Sequence, residues 1–180
     1  MTTTEPLSLS ALNQAFREIL ETIDPQDLGW SPFKGVWSVA LILEHLCVVE
    51  SSYFPVFMAV KQGNYRGTLL GRWSWLSHKV GAYLFQTMDA SRRTKIKAPT
   101  DWQPRSSAQS AQVVLREFWE HTERLESELE GFTPEMLSMV IASPASSLLN
   151  YRMDMAIQII LAHRHRHLHQ MKDLLVLKSN

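Results

Sequence analysis

The sequence predicts an all-α protein, a four-helix bundle, and three observations carry that prediction. Apolar residues recur at helical spacing in four long stretches. No stretch alternates convincingly enough to read as a strand, and there is no internal repeat or low-complexity tract. Between the second and third stretches lies a connection from residue 64 to residue 105, a crossover rather than a hairpin turn. At 180 residues the chain reads as one domain, 1–180, able to bury a sizeable core.

The first helix carries Leu12, Phe16, Ile19 and Ile23 at helical spacing, with Ser8 or Ser10 as its N-cap and Asp24-Pro25 as its stop. Glycines and a proline keep Gly29–Gly35 irregular. Trp37-Ser38 opens the second helix, with Ser38 as its cap. With His45 set at zero, Ile42, Val49, Tyr53, Val56 and Val60 fall at about 20° to 80°, so His45 looks inward with the apolar stripe. Pro55 should kink or interrupt this helix, and Lys61-Gln62-Gly63-Asn64 should end it. Within 64–105, Trp73, Trp75, Leu76, Val80, Tyr83 and Leu84 suggest an amphipathic segment. The basic residues from Arg92 to Arg105 and the prolines Pro99 and Pro104 read as a solvated linker.

The third long helix is expected from about Ser107 to Glu130, with Val113, Val114, Phe118, Leu125 and Leu129 inside and Gly131 as its stop. Thr133-Pro134-Glu135-Met136 begins a short helical turn, with proline at a favoured first position. Ser143–Ser147 reads as a loop. The fourth long helix is expected from about Leu149 to Leu177.

Composition excludes several classes of function. Eighteen basic residues balance eighteen acidic ones, so no net charge draws the chain to nucleic acid or to an anionic membrane. The single cysteine, Cys47, precludes an internal disulfide and fits a reducing compartment. The first residues show no signal-peptide pattern, and the apolar run Val36–Val49 is too short and too polar to span a bilayer. A cytoplasmic location is the expectation.

The last helix holds the run Leu161-Ala-His163-Arg-His165-Arg-His167-Leu-His169-Gln-Met171. On a helix these four histidines split into two pairs about 40° apart within each pair. His163 and His167 share the apolar side with Met153, Ala156, Ile157, Ile160, Met171, Leu174 and Leu175. His165 and His169 share the opposite side with Asp154, Gln158 and Lys172, and are expected to face water. Two inward imidazoles at i, i+4 can both reach one metal ion, and His45 can supply a third nitrogen. Three neutral imidazoles suit zinc, nickel or ferrous iron. The alternative is that each inward histidine hydrogen-bonds a carbonyl or a serine and fills space. Cys47, about 200° around its helix from His45, is not expected as a ligand. His78 and His121 have no partner at ligand spacing and read as surface or interface residues. Glu44 and Glu50 point away from His45, at about 260° and 140°, so neither is nominated as a base. Tyr53, on the inward stripe, is a donor behind the site or a core filler.

These residues resemble a known family. Trp37-Ser-Val-Ala-Leu-Ile-Leu-Glu-His45-Leu is similar to the second-helix motif of the DinB-like superfamily of metal-binding four-helix bundles. His163-Arg-His-Arg-His167-Leu-His-Gln170 is similar to its last-helix motif. Lys97-Ala-Pro99 and the tryptophan and proline after it resemble its crossover. The resemblance implies an up-down-down-up bundle whose long crossover joins helices two and three, and a divalent metal held by His45, His163 and His167. It also implies a metal-dependent transferase using a low-molecular-weight thiol on a small molecule. The alternatives are a metal-dependent hydrolase, or a non-catalytic, metal-stabilised bundle or sensor acting as a homodimer. Trp73 and Trp75 are candidates for a dimer or ligand surface.

Overall fold

In the computed structural model the described residues are 8–67, 82, 83, 85, 99–104 and 110–179. The expectations for Trp73, Trp75, His78 and most of the basic linker lie outside them.

Helix α1 spans Leu9–Glu21 and is capped by Ser8, whose Oγ accepts from the Ala11 N–H. It buries Leu12, Phe16 and Leu20. A short 3₁₀ turn, Pro25–Asp27, follows, capped by Asp24. Helix α2 spans Val39–Ser51, with the Ser38 hydroxyl accepting from Leu41 N–H. The chain breaks at Ser52-Tyr53 and resumes as α3, Phe54–Lys61, with Pro55 in its first turn where a missing N–H is harmless. Together α2 and α3 make a 23-residue apolar stretch, long enough by composition to cross a bilayer. In this fold the stretch is a core strut that buries His45 and Glu50. Helix α4 spans Ala111–Leu129 with Ser110 as its cap, and Gly131 takes a positive φ of 78° just past its end. Helix α5 spans Pro134–Ser138.

The residues after α5 depart from expectation. Val140–Ser143 forms strand β1 and Ser146–Arg152 forms β2, an antiparallel hairpin. Its register pairs Ile141 with Tyr151 and buries both against the bundle. The last helix, α6, therefore starts at Met153 rather than near Leu149 and runs to Ser179. Asn150, Tyr151 and Arg152 pair with β1, so the chain there has no need of helical hydrogen bonds.

Contacts fix the helix directions. Along α2–α3 and α4, Glu50 meets His121, Phe54 meets Arg124 and Lys61 meets Glu128, so these arms run parallel. Asn13 meets Glu126 whereas Arg17 meets Trp119, so α1 opposes α4. Trp37 meets His167, His45 meets His163, and Tyr53 just past α2 meets Tyr151 just before α6, so α2 opposes α6. The bundle is up-down-down-up, and its two parallel middle arms require the long crossover.

Two apolar clusters fill the interior. One joins Leu12, Phe16, Leu43, Leu46, Phe118, Leu168 and Met171; the other joins Phe54, Phe57, Leu125, Ile141, Met153 and Ile160. Between them lies a buried polar layer: Glu50 of α2, Thr122 of α4, and His163, Arg164 and His167 of α6. The candidate site belongs to this layer.

Candidate metal centre

Three elements deliver the site. The Ser38 cap fixes where α2 begins and sets the phase that turns His45 inward. Helix α6 carries His163 and His167 one turn apart on its buried side. The 3₁₀ turn Thr100–Trp102 brings a backbone carbonyl against the first histidine. All three imidazoles are buried.

His45 Nε2 lies 3.3 Å from His163 Nε2, and His167 Nε2 lies 3.1 Å from the same atom. Two imidazole nitrogens sharing one ion at about 2.0–2.1 Å stand roughly 2.9 Å apart at a right angle and about 3.4 Å apart at a tetrahedral angle. The observed separations fall in that interval. The three donor nitrogens lie within 4.8 Å of one another.

Hydrogen bonding decides which nitrogens are free. His45 Nδ1–H donates to the Trp102 carbonyl at 2.6 Å, and His167 Nδ1–H donates to Gln170 Oε1 at 2.9 Å. A carbonyl only accepts, so the proton of each of these rings sits on Nδ1 and its Nε2 presents a lone pair. His163 Nδ1 is buried with no partner among the described residues. The one proton on His163 can satisfy at most one neighbouring lone pair, whereas a cation accepts all three. The residues fit a divalent metal.

Electrostatics agree. Burial lowers the pKa of His45, against the raising effect of its bond to Trp102. Burial followed by the charges of His167 and His45 holds His163 well below the ordinary imidazole range. Burial, with His45 adding to it, pushes His167 down to about 3. All three rings are neutral at physiological pH, as ligation requires. Trp37, next to the Ser38 cap, packs on two of the rings, with centroids 4.7 Å from His45 and 6.3 Å from His167.

Residues 8–171 match the DinB superfamily. The chain belongs to the DinB superfamily. No curated protein matches the sequence. Among solved structures this DinB chain is similar to YfiT from Bacillus subtilis, described as a probable metal-dependent hydrolase with an unusual four-helix bundle topology. The two share 14% sequence identity with a TM-score of 0.60, over 95% of this chain and 83% of that one. At that identity the likeness establishes the shared bundle.

The other residues singled out in this DinB chain fall as follows. His169 is exposed, while His165 is half-buried rather than fully in water. Cys47 stays outside the site, and burial pushes its thiol pKa up, which leaves it inert. Tyr53 is a core residue: its hydroxyl bonds that of Tyr151 at 2.7 Å. His121 is not a surface residue. Its Nε2 bonds Glu50 Oε2 at 2.9 Å, and its side chain is 8% exposed. Glu50, expected to point away from His45, is fully buried and also takes Arg164 Nη1 at 2.9 Å.

Arg164 is the buried neighbour of the site that sequence reasoning missed. It is wholly buried, bonds Asn13 and Thr122 besides Glu50, and lies over Phe16 and Phe118. A signal was present: one residue on from His163, Arg164 sits at about 100°, inside the apolar arc of its helix.

Proposed function

We propose that the chain is a metal-dependent enzyme in which His45, His163 and His167 hold one divalent ion, zinc or nickel before iron. Three imidazoles would leave coordination positions open, and the ion when bound would supply Lewis acidity that brings a thiol or a water toward ionisation at neutral pH. Trp102 and Gln170 hold the tautomers that point Nε2 at the ion, and Trp37 keeps two of the rings from turning.

The proposed chemistry is transfer of a low-molecular-weight thiol to an electrophilic small molecule. The hydrogen-bond commitments around the three imidazoles carry this choice. The outward nitrogens of His45 and His167 are committed to Trp102 and Gln170, and Glu50 is tied to Arg164 and His121. A thiol, with an ordinary pKa near 8.5, needs far less help to ionise than water at about 15.7. The second reading is metal-dependent hydrolysis, favoured by the description of the structurally similar YfiT.

The test is to purify the protein without chelator, measure bound metal, and assay both thiol conjugation and ester or amide hydrolysis. Thiol-dependent turnover abolished by His163→Ala supports the first reading. Thiol-independent hydrolysis supports the second. Bound metal with neither activity, and a melting temperature that falls on chelation, points to a metal-stabilised bundle without catalysis.

A further inference from the structure

The histidine run holds a second pair that the interior centre does not use. His165 and His169 lie one turn apart on α6, with Nε2 atoms 3.2 Å apart and ring centroids 4.6 Å apart at 83°. The interior pair, His163 and His167, shows 3.1 Å, 4.5 Å and 82°. The two pairs are the same clamp on opposite sides of one helix.

We propose that His165 and His169 form a second metal site, a surface clamp for a borderline divalent ion such as Cu(II), Ni(II) or Zn(II). Their nitrogen separation falls between the roughly 2.9 Å of two cis ligands at a right angle and the roughly 3.4 Å of a tetrahedral pair, at metal–nitrogen distances of about 2.0–2.1 Å. The clamp sits mid-helix, twelve or more residues inside α6 from its start at Met153, so the backbone presets it and little order is lost on binding. Imidazole donors select these ions over magnesium or calcium, and the usual order of affinities puts copper first. With two protein ligands the remaining positions go to solvent, so the bound ion is readily exchanged. Asp173, exposed one further turn along, continues the i, i+4 series and places a carboxylate beside the clamp.

The test uses untagged full-length protein on an immobilised nickel column, where only surface histidines reach the metal. Wild-type protein should be retained and elute with imidazole. His165→Gln/His169→Gln should elute at clearly lower imidazole than wild type, while His163→Gln/His167→Gln should elute like wild type. If the interior double variant does not fold, Cu(II) titration of the other two proteins decides. His165→Gln/His169→Gln should then bind one equivalent fewer than wild type, whether or not the interior centre takes copper. A wild-type protein that is not retained, or equal equivalents in wild type and the surface variant, overturns the proposal.

Discussion

A guanidinium without solvent contact needs a partner for its charge, and Glu50 supplies it to Arg164 at 2.9 Å from another helix. Removing one member of such a pair strands the other, which typically costs about 3–5 kcal/mol, whereas removing both costs far less. Arg164→Met and Glu50→Gln should therefore each lower unfolding stability by about that amount. The double variant should lose clearly less than the sum; strictly additive losses in denaturant melts would show that the pair does not couple. Gln170→Leu acts differently, because it removes only the acceptor that orients His167. Metal affinity should fall about 10- to 100-fold, with the fold intact, in competition against a chromophoric chelator. An unchanged affinity would remove Gln170 from the site. At this scale the inward-facing histidines were legible and their buried neighbours were not. His45, His163 and His167 follow from helical phase. Glu50 sits at about 140° from His45, between Leu46 at about 100° and Leu43 at about 160°, so the buried arc of α2 is wider than the stripe of Ile42, Val49 and Tyr53 suggested. That Glu50 and Arg164, 114 residues apart, meet is a tertiary fact no local pattern encodes.

Elements were legible where a single side chain sets a boundary. Ser38 caps α2, Pro55 sits where the helix restarts as α3, and Thr133 with Pro134 opens α5. The hairpin was not, because Val140–Ser143 is only four residues long and Leu148-Leu149 mimics the start of an amphipathic helix. Strand identity there comes from pairing, Ile141 against Tyr151, rather than from propensity. The cap of α2 carries a prediction because it lies seven residues before His45 and beside Trp37. Ser38→Ala removes the acceptor for Leu41 N–H and should destabilise the protein by about 1 kcal/mol in urea melts. It should also weaken metal binding, since a frayed first turn frees Trp37 from His45 and His167. Full metal affinity at reduced stability would show that the cap holds the helix and not the site.

At the scale of the whole molecule the three imidazoles join α2 to α6 across 118 residues of chain, so their protonation is coupled to folding. Each has a pKa below the ordinary 6.5 in the folded state, His163 well below it and His167 at about 3. In the unfolded chain they titrate near 6.5. Between those values the unfolded state binds more protons, so stability rises with pH through that window. The contribution is fully present above about pH 6.5 and is lost as pH falls from there toward each ring's folded value, at up to about 1.4 kcal/mol per pH unit for each histidine. For chelator-treated protein, urea midpoints should be level near pH 7.5 and decline steadily below pH 6.5. His167→Gln should flatten that decline by removing one titrating ring. Midpoints that stay level from pH 7 to 5 would contradict neutral buried imidazoles. Bound metal adds to the same balance, because it ligates the folded lone pairs and stabilises by about 2.7 kcal/mol at one hundred times its dissociation constant. Protons compete poorly for rings whose folded pKa is already lowered. Metal loaded at pH 7.5 should therefore stay bound well below pH 6.5, and its release should coincide with unfolding. Release near pH 6.5 from a protein that remains folded would mean that the imidazoles are as solvated as free histidine.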